Sequence, residues 1–117
     1  HPEVYSILQQ KGEKLRNGWQ EKAQKLGIDV SINQIGSMIT LFFTPKKVWN
    51  FQDAKTSNLE WFKKYFHAML AQGVYLAPSQ FESLFLSTAL SEIDLSYLIE
   101  AHEKALKSVL NFVESES

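Results

Sequence analysis

The sequence contains no cysteine. That excludes a disulfide framework, a thiolate zinc site and a cysteine nucleophile together, so the chain needs no oxidising compartment. Arginine is almost as scarce, with Arg16 the only one, which argues against recognition of carboxylates or phosphates by clustered guanidinium groups. The five glycines, Gly12, Gly18, Gly27, Gly36 and Gly73, are scattered and form no phosphate-cradling loop. No apolar run approaches the ~20 residues that span a bilayer. The opening His1-Pro2-Glu3-Val4 has neither the charged nor the apolar region of a secretory signal. A soluble, intracellular chain is expected, with no membrane partner.

What is present suits one core. The 117 residues (13.4 kDa) are enough for a single domain and too few for two. Hydrophobic residues make up 44% and aromatic residues 13%, which argues against disorder. A net charge of -1 and a pI near 6.3 argue against nucleic acid as a partner. The charge is mildly polarised: positions 1–57 carry eight basic against five acidic residues, and positions 58–117 carry four against eight.

The hydrophobic period divides the chain into elements. Val4, Leu8, Leu15, Trp19, Ala23 and Leu26 form one stripe of a helix over about 3–26, with Pro2 in its first turn and Gly27 as C-cap. From Ile28 to Ser37 the pattern alternates as in a half-buried strand. Met38 to Thr44 is apolar enough for a strand covered on both faces, stopped by Pro45. Residues 45–57 read as a connection carrying Trp49 and Phe51. Ser57-Asn58-Leu59-Glu60 is a capping-box pattern opening a helix to about Gln72, with Leu59, Phe62, Phe66, Met69 and Leu70 inward and Gly73 beyond its end. Val74-Tyr75-Leu76 and Phe81 to Leu86 read as short strands. Ser91 to Asp94 opens a last helix with Leu95, Leu98, Ile99, Ala105, Leu106, Val109 and Leu110 inward. The fold class predicted is α+β: a small, mostly antiparallel sheet of three to four strands backed by three helices.

Taken alone, these residues offer little catalytic chemistry. His1 is terminal, His67 sits in the middle helix, and His102, among Glu100, Glu103 and Lys104, is expected on the wet face of the last helix. No two share a metal-ligand spacing, so no metal site is expected. Lys46-Lys47 reads as a solvated pair. Phe42, Phe43, Trp61 and Tyr65 read as core or interface, because no basic charge accompanies them as a base-stacking platform would require. One segment stands apart: Val74-Tyr75-Leu76-Ala77-Pro78-Ser79-Gln80-Phe81-Glu82 places a carboxylate among Phe81, Leu84 and Phe85, just after a proline-fixed loop. Such surroundings raise a carboxyl pKa or demand a cationic partner. A strand-edge glutamate facing water fits the pattern as well.

The run from Gly73 to Glu82 closely resembles the C-terminal signature of the glutamate-1-semialdehyde 2,1-aminomutase family, pyridoxal-phosphate enzymes of the class III aminotransferase group. Ile35 to Thr44 is similar to that family's strand pair. Asp53-Ala54-Lys55 and Phe66-His67-Ala68-Met69-Leu70 are similar to its next landmarks, and Ser87 to Asp94 resembles its lead into the last helix. Leu90 departs from the pattern, standing where the family commonly has His. The resemblance implies that residues 1–117 are the C-terminal small domain of a larger enzyme whose large domain supplies the Schiff-base lysine and the phosphate site. No lysine here has a glycine-rich context, so no cofactor-binding residue is assigned. The implied parent is a homodimer of the cytoplasm, or of the plastid stroma in a plant. It takes a small-molecule substrate and converts glutamate 1-semialdehyde to 5-aminolevulinate, the tetrapyrrole precursor, with pyridoxal phosphate as electron sink. By the same likeness Glu82 is the active-site carboxylate, and Ser79, Gln80, Gly36, Ser37 and Met38 line the substrate pocket. The 117-residue chain alone is expected to be catalytically silent and to bind no cofactor. Two alternatives are a part of another class III aminotransferase and a free-standing, non-catalytic interaction module of the same fold.

Overall fold

The computed structural model describes residues 2–35, 38–45, 47–48, 58–76, 84–85 and 89–116. The elements are α1 (Pro2–Leu26), β1 (Ser31–Ile35), β2 (Met38–Phe42), α2 (Leu59–Ala71), β3 (Leu84–Phe85) and α3 (Glu92–Glu116). The three strands form an antiparallel sheet in the order β1-β2-β3, with Ile35 opposite Met38 across one ladder and Met38 opposite Phe85 across the other. The architecture is the α+β arrangement predicted, with three described strands.

β2 is the central strand, and its composition explains why. Ile39, Thr40, Leu41 and Phe42 are all buried, as a strand covered on both faces must be. Phe43 continues inward beyond the ladder and meets Tyr65 and Trp61 edge-on, at ring-centroid distances of 5.5 and 6.2 Å.

α1 and α3 run parallel. Trp19 Nε1 donates to the Leu98 carbonyl at 3.3 Å, and Lys25 Nζ donates to Glu103 Oε2 at 3.3 Å. Lys11 Nζ donates to the Leu90 carbonyl and Lys14 pairs with Glu92. The helices touch where Gly18 leaves room, since a Cβ there would lie 2.5 Å from Ile99 Cδ1 and 2.8 Å from Cγ1. The helix-weakening glycine of the sequence is thus the close-approach point of the bundle. α2 runs the other way: Gln72 Nε2 donates to the Ala101 carbonyl at 2.9 Å, while Lys64 lies over the Phe112 ring.

Both helix ends expected at glycines are found. After α2, Gly73 adopts φ 81°, and Val74 N–H returns to the Met69 carbonyl at 3.0 Å. The start of α3 is a reciprocal cap: Asp94 N–H donates to Ser91 Oγ at 3.1 Å, and Ser91 N–H donates to Asp94 Oδ2 at 2.8 Å. The Ser91 backbone N–H, followed by the Ser91 side chain, holds the Asp94 carboxyl below its ordinary pKa.

Four expectations need correction. The N-cap of α2 is Asn58, whose Oδ1 accepts from Trp61 N–H at 3.0 Å; the Ser57–Glu60 box is out by one position. The buried face of α2 is Phe62, Tyr65 and Met69, while Leu59 and Leu70 are exposed. Val74-Tyr75-Leu76 is not a strand: it alternates in burial as expected, but no neighbouring strand pairs with it among the described residues. Val4 is exposed, because α1 outruns the start of α3 and no helix among the described residues lies beside its first turns.

Candidate functional site

His102 is not on the wet face of α3. It is fully buried, stacked on the Trp19 indole with centroids 4.8 Å apart and planes 11° from parallel. Its Nε2 lies 2.9 Å from the Trp19 carbonyl, which can only accept, so the proton sits on Nε2. Nδ1 is then the acceptor for the Tyr65 hydroxyl at 2.7 Å. One imidazole therefore joins α1, α2 and α3, with both ring nitrogens used. Burial lowers the His102 pKa from 6.5 to about 4, outweighing the Trp19 hydrogen bond and the Glu103 charge that oppose the shift. Burial also raises the Tyr65 pKa. The group is neutral, satisfied and enclosed, which suits a structural tie rather than a proton shuttle.

The signal for this histidine was in the sequence. Position 102 continues the stripe Leu95, Leu98, Ala105, Val109 at helical spacing. Its charged neighbours masked it.

Of the predicted site residues, Glu82, Ser79, Gln80, Gly36 and Ser37 lie outside the described residues. Met38 is described: it opens β2, half-buried, between Ile35 and Phe85. The described residues that flank the others converge on one end of the molecule. Gln34, beside the β1–β2 turn, donates through Nε2 to the Gln9 carbonyl on α1 at 3.1 Å. β3 pairs with the start of β2. Leu76 leaves the end of α2, which lies beside the start of α3. Leu90 is half-buried, packs against the core, and its carbonyl accepts from Lys11. At that position the chain uses an apolar contact and a backbone acceptor.

The departure from α2 is firmly held. Gln72 Nε2 donates to the Ala68 and Ala101 carbonyls at 3.2 and 2.9 Å, and the Tyr97 hydroxyl donates to the Gln72 carbonyl. Val74 and Leu76 are then buried on either side of exposed Tyr75. A cleft of about 260 Å³ opens here between Tyr75 and Tyr97 and is floored by Val74, Leu90 and Leu98. A second cleft, of about 400 Å³, lies at the other end between Phe43, Trp61, Val109 and Val113. Asp29, Thr44 and Asn58 also line it, and the Asn58 side chain is committed to capping α2.

The described residues do not fit a pyridoxal-phosphate site. A Schiff-base lysine needs a desolvated pocket, and none of the described lysines is buried. Lys14 pairs with Glu92, and Lys22 and Lys25 pair with Glu103. No cluster of three or more metal-ligating side chains occurs among the described residues. No helix among them is long and apolar enough to cross a membrane.

The fold is that of one part of the pyridoxal-phosphate transaminases. An omega-transaminase from Sphaerobacter thermophilus superposes with TM-score 0.77 at 19% identity, over 94% of this chain and 25% of its own. The FumI protein of Sphingopyxis sp. MTA144, solved in its pyridoxal-phosphate internal aldimine form, gives TM-score 0.73 at 24% identity, over 94% and 24%. At these identities the likeness speaks for the fold alone. No family model matches the chain. In sequence the chain is similar to proteins named glutamate-1-semialdehyde 2,1-aminomutase, as its motifs indicated. It is 44% identical to the protein of that name from Alkaliphilus metalliredigens over 108 residues, and 48% identical to that of Persephonella marina over 106. These stretches cover 92% and 91% of the chain and 24% and 25% of the two relatives. The chain thus spans about a quarter of the length of the curated relatives it matches.

Proposed function

We propose that this chain is the C-terminal small domain of a longer aminomutase that converts glutamate 1-semialdehyde to 5-aminolevulinate for tetrapyrrole synthesis. The observation that carries the reading is identity of 43–50% to proteins named for that activity, over nine-tenths or more of the chain. Another class III aminotransferase is the weaker reading, because its support is a structural likeness at 15–24% identity.

In this reading the lysine and phosphate site belong to the rest of the protein, which works as a homodimer in the cytoplasm or plastid stroma. Pyridoxal phosphate supplies the electron sink there. This chain contributes Glu82, with Ser79, Gln80, Gly36, Ser37 and Met38 beside it. The net reaction moves an amino group between adjacent carbons, so an ammonium passes close to any carboxylate lining the pocket. A glutamate there holds that cation or manages its proton.

The test is Glu82→Gln in the longer protein, which keeps shape and removes charge. Turnover of glutamate 1-semialdehyde is expected to fall by about 10²-fold or more, as for loss of a positioned acid–base group, with the melting temperature unchanged. Unchanged turnover would leave Glu82 a structural residue.

A further inference from the structure

Of the five asparagines, Asn17, Asn33, Asn50, Asn58 and Asn111, Asn17 alone precedes a glycine. Asparagine is a chemically labile residue, and a following glycine makes it more so, because the absent Cβ leaves the glycine nitrogen open to approach. That nitrogen can attack the side-chain carbonyl carbon of the asparagine before it. The new N–Cγ bond closes a five-membered succinimide. The Cγ–Nδ2 bond breaks, and ammonia leaves with the proton that the backbone nitrogen gives up. Water then opens the ring at either carbonyl. One product is aspartate; the other is isoaspartate, whose main chain runs through Cβ and Cγ and is one carbon longer. Nothing is oxidised or reduced, and water is the only co-reactant.

Asn17 and Gly18 lie inside α1, with Asn17 exposed and Gly18 half-buried. The side chains of Asn33 and Asn58 are engaged: Asn33 Nδ2 donates to the Val48 carbonyl at 2.9 Å, and Asn58 Oδ1 caps α2. Asn17 is protected by its backbone instead. A helical ψ of about −42° turns the Gly18 nitrogen out of the plane it would share with Cα, Cβ and Cγ in the ring. The same nitrogen is tied into the helical hydrogen-bond ladder. Leaving this geometry opens α1 at its close approach to α3, where a Cβ on Gly18 would lie 2.5 Å from Ile99 Cδ1. The next residue, Trp19, is buried, bonded to the Leu98 carbonyl and stacked on His102. A segment held in this way opens only when the core opens with it.

We propose that Asn17-Gly18 is a deamidation site which the α1–α3 contact holds shut, and that isoaspartate formed there after unfolding bars the chain from folding again. Isoaspartate would add a carbon to the main chain between Leu15 and Trp19, both buried on one stripe of α1. The ladder breaks there, and Trp19 and Ala23 turn out of phase with Leu15. The close approach to Ile99 has no room for added backbone. Aspartate, the other product, keeps the backbone. Its charge falls one turn from Glu13 and from Glu21, a weak repulsion on an exposed face. One product is therefore tolerated and the other disabling. The reaction uses no catalytic residue, so it is independent of the activity of the longer protein.

Peptide mass analysis tests it, on the intact protein that carries residues 1–117, aged at neutral pH either folded in buffer or unfolded in guanidinium. Cleavage after lysine releases Leu15–Lys22. This peptide is expected to convert from amide to acid at least about tenfold faster in guanidinium, with isoaspartate scored by a methyltransferase specific for it. Ile99→Ala, which slackens the contact, is expected to raise the rate in buffer and to leave the rate in guanidinium unchanged. Once guanidinium is removed, the isoaspartate-bearing fraction is expected to stay unfolded. Asn17→Gln, aged in the same way, should lose none of that fraction, and Asn17→Asp should fold and melt as the unmodified protein does. Equal rates in buffer and guanidinium overturn the proposal. So does isoaspartate-bearing protein that refolds with the original melting temperature, or an Ile99→Ala protein that deamidates in buffer no faster than the unchanged one.

Discussion

α3 carries two regions whose polarity is inverted relative to expectation. In its first turn Ile93 is 81% exposed; two and a half turns later His102 is 0% exposed. Hydrophobicity scales would exchange them. The difference comes from the packing around the helix. At His102 three helices meet, and Trp19 and Tyr65 supply an acceptor, a donor and a stacking face. Ile93 lies on the opposite side of α3 from the buried stripe of Leu95, His102, Ala105 and Val109, and so faces outward. Burial follows the face of α3 that a position occupies, and a polar residue is accommodated on the inner face through hydrogen bonding.

The comparison can be broken at its buried side first. His102→Ala is expected to cost about 3–5 kcal/mol in urea denaturation, because it opens a cavity and strands the Tyr65 hydroxyl. Tyr65→Phe should cost less, since it leaves only Nδ1 without a partner.

Acid is the next probe. The folded pKa of His102 is about 4 against an ordinary 6.5, so between those values the unfolded chain binds the proton and the folded chain does not. Stability is complete above pH 6.5 and declines as pH falls towards 4, by about 3 kcal/mol from this group. Denaturation midpoints measured across that window check it. In His102→Gln the slope attributable to this group should vanish.

Gly18→Ala sharpens the register itself. Helix propensity favours alanine by up to ~1 kcal/mol, but contact with Ile99 outweighs the gain, and a net loss of about 1 kcal/mol is expected. Adding Ile99→Ala should make the pair less costly than the sum of the two single changes, read by a double-mutant cycle. At the exposed side, Ile93→Lys in the 117-residue chain is expected to shift stability by less than about 0.5 kcal/mol.

Much of the fold was legible in the sequence because local rules and global packing agree. Trp19, Ala23 and Leu15 sit on one stripe and are buried; the dense run from Met38 becomes the central strand; Ser91 and Asp94 form a reciprocal cap. The misses share a cause. Val74-Tyr75-Leu76 has strand alternation without a strand to pair with, and α2 buries Tyr65 in place of Leu70 because Phe43 and His102 wait on that side. Periodicity gives a helix its face only to within a residue or so, and the neighbours choose. The candidate site was legible only through family likeness, since Glu82 has no nearby sequence partner that would mark it as chemical. The Tyr97–Gln72 bond that holds the departure from α2 joins residues 25 positions apart, a distance no local pattern spans.

The parallel pairing of the first and last helices has a consequence for how the molecule is made. The bonds that join them link residues 78 to 83 positions apart, so the ring of Trp19 waits for that much further chain to emerge before its lid arrives. Contacts of such span close slowly, because the chain loses the entropy of a long loop before they are formed. During translation the nascent domain therefore presents an open aromatic seam until its final helix leaves the ribosome, and a ribosome that stalls before about position 102 releases an unfinished core for chaperones to hold.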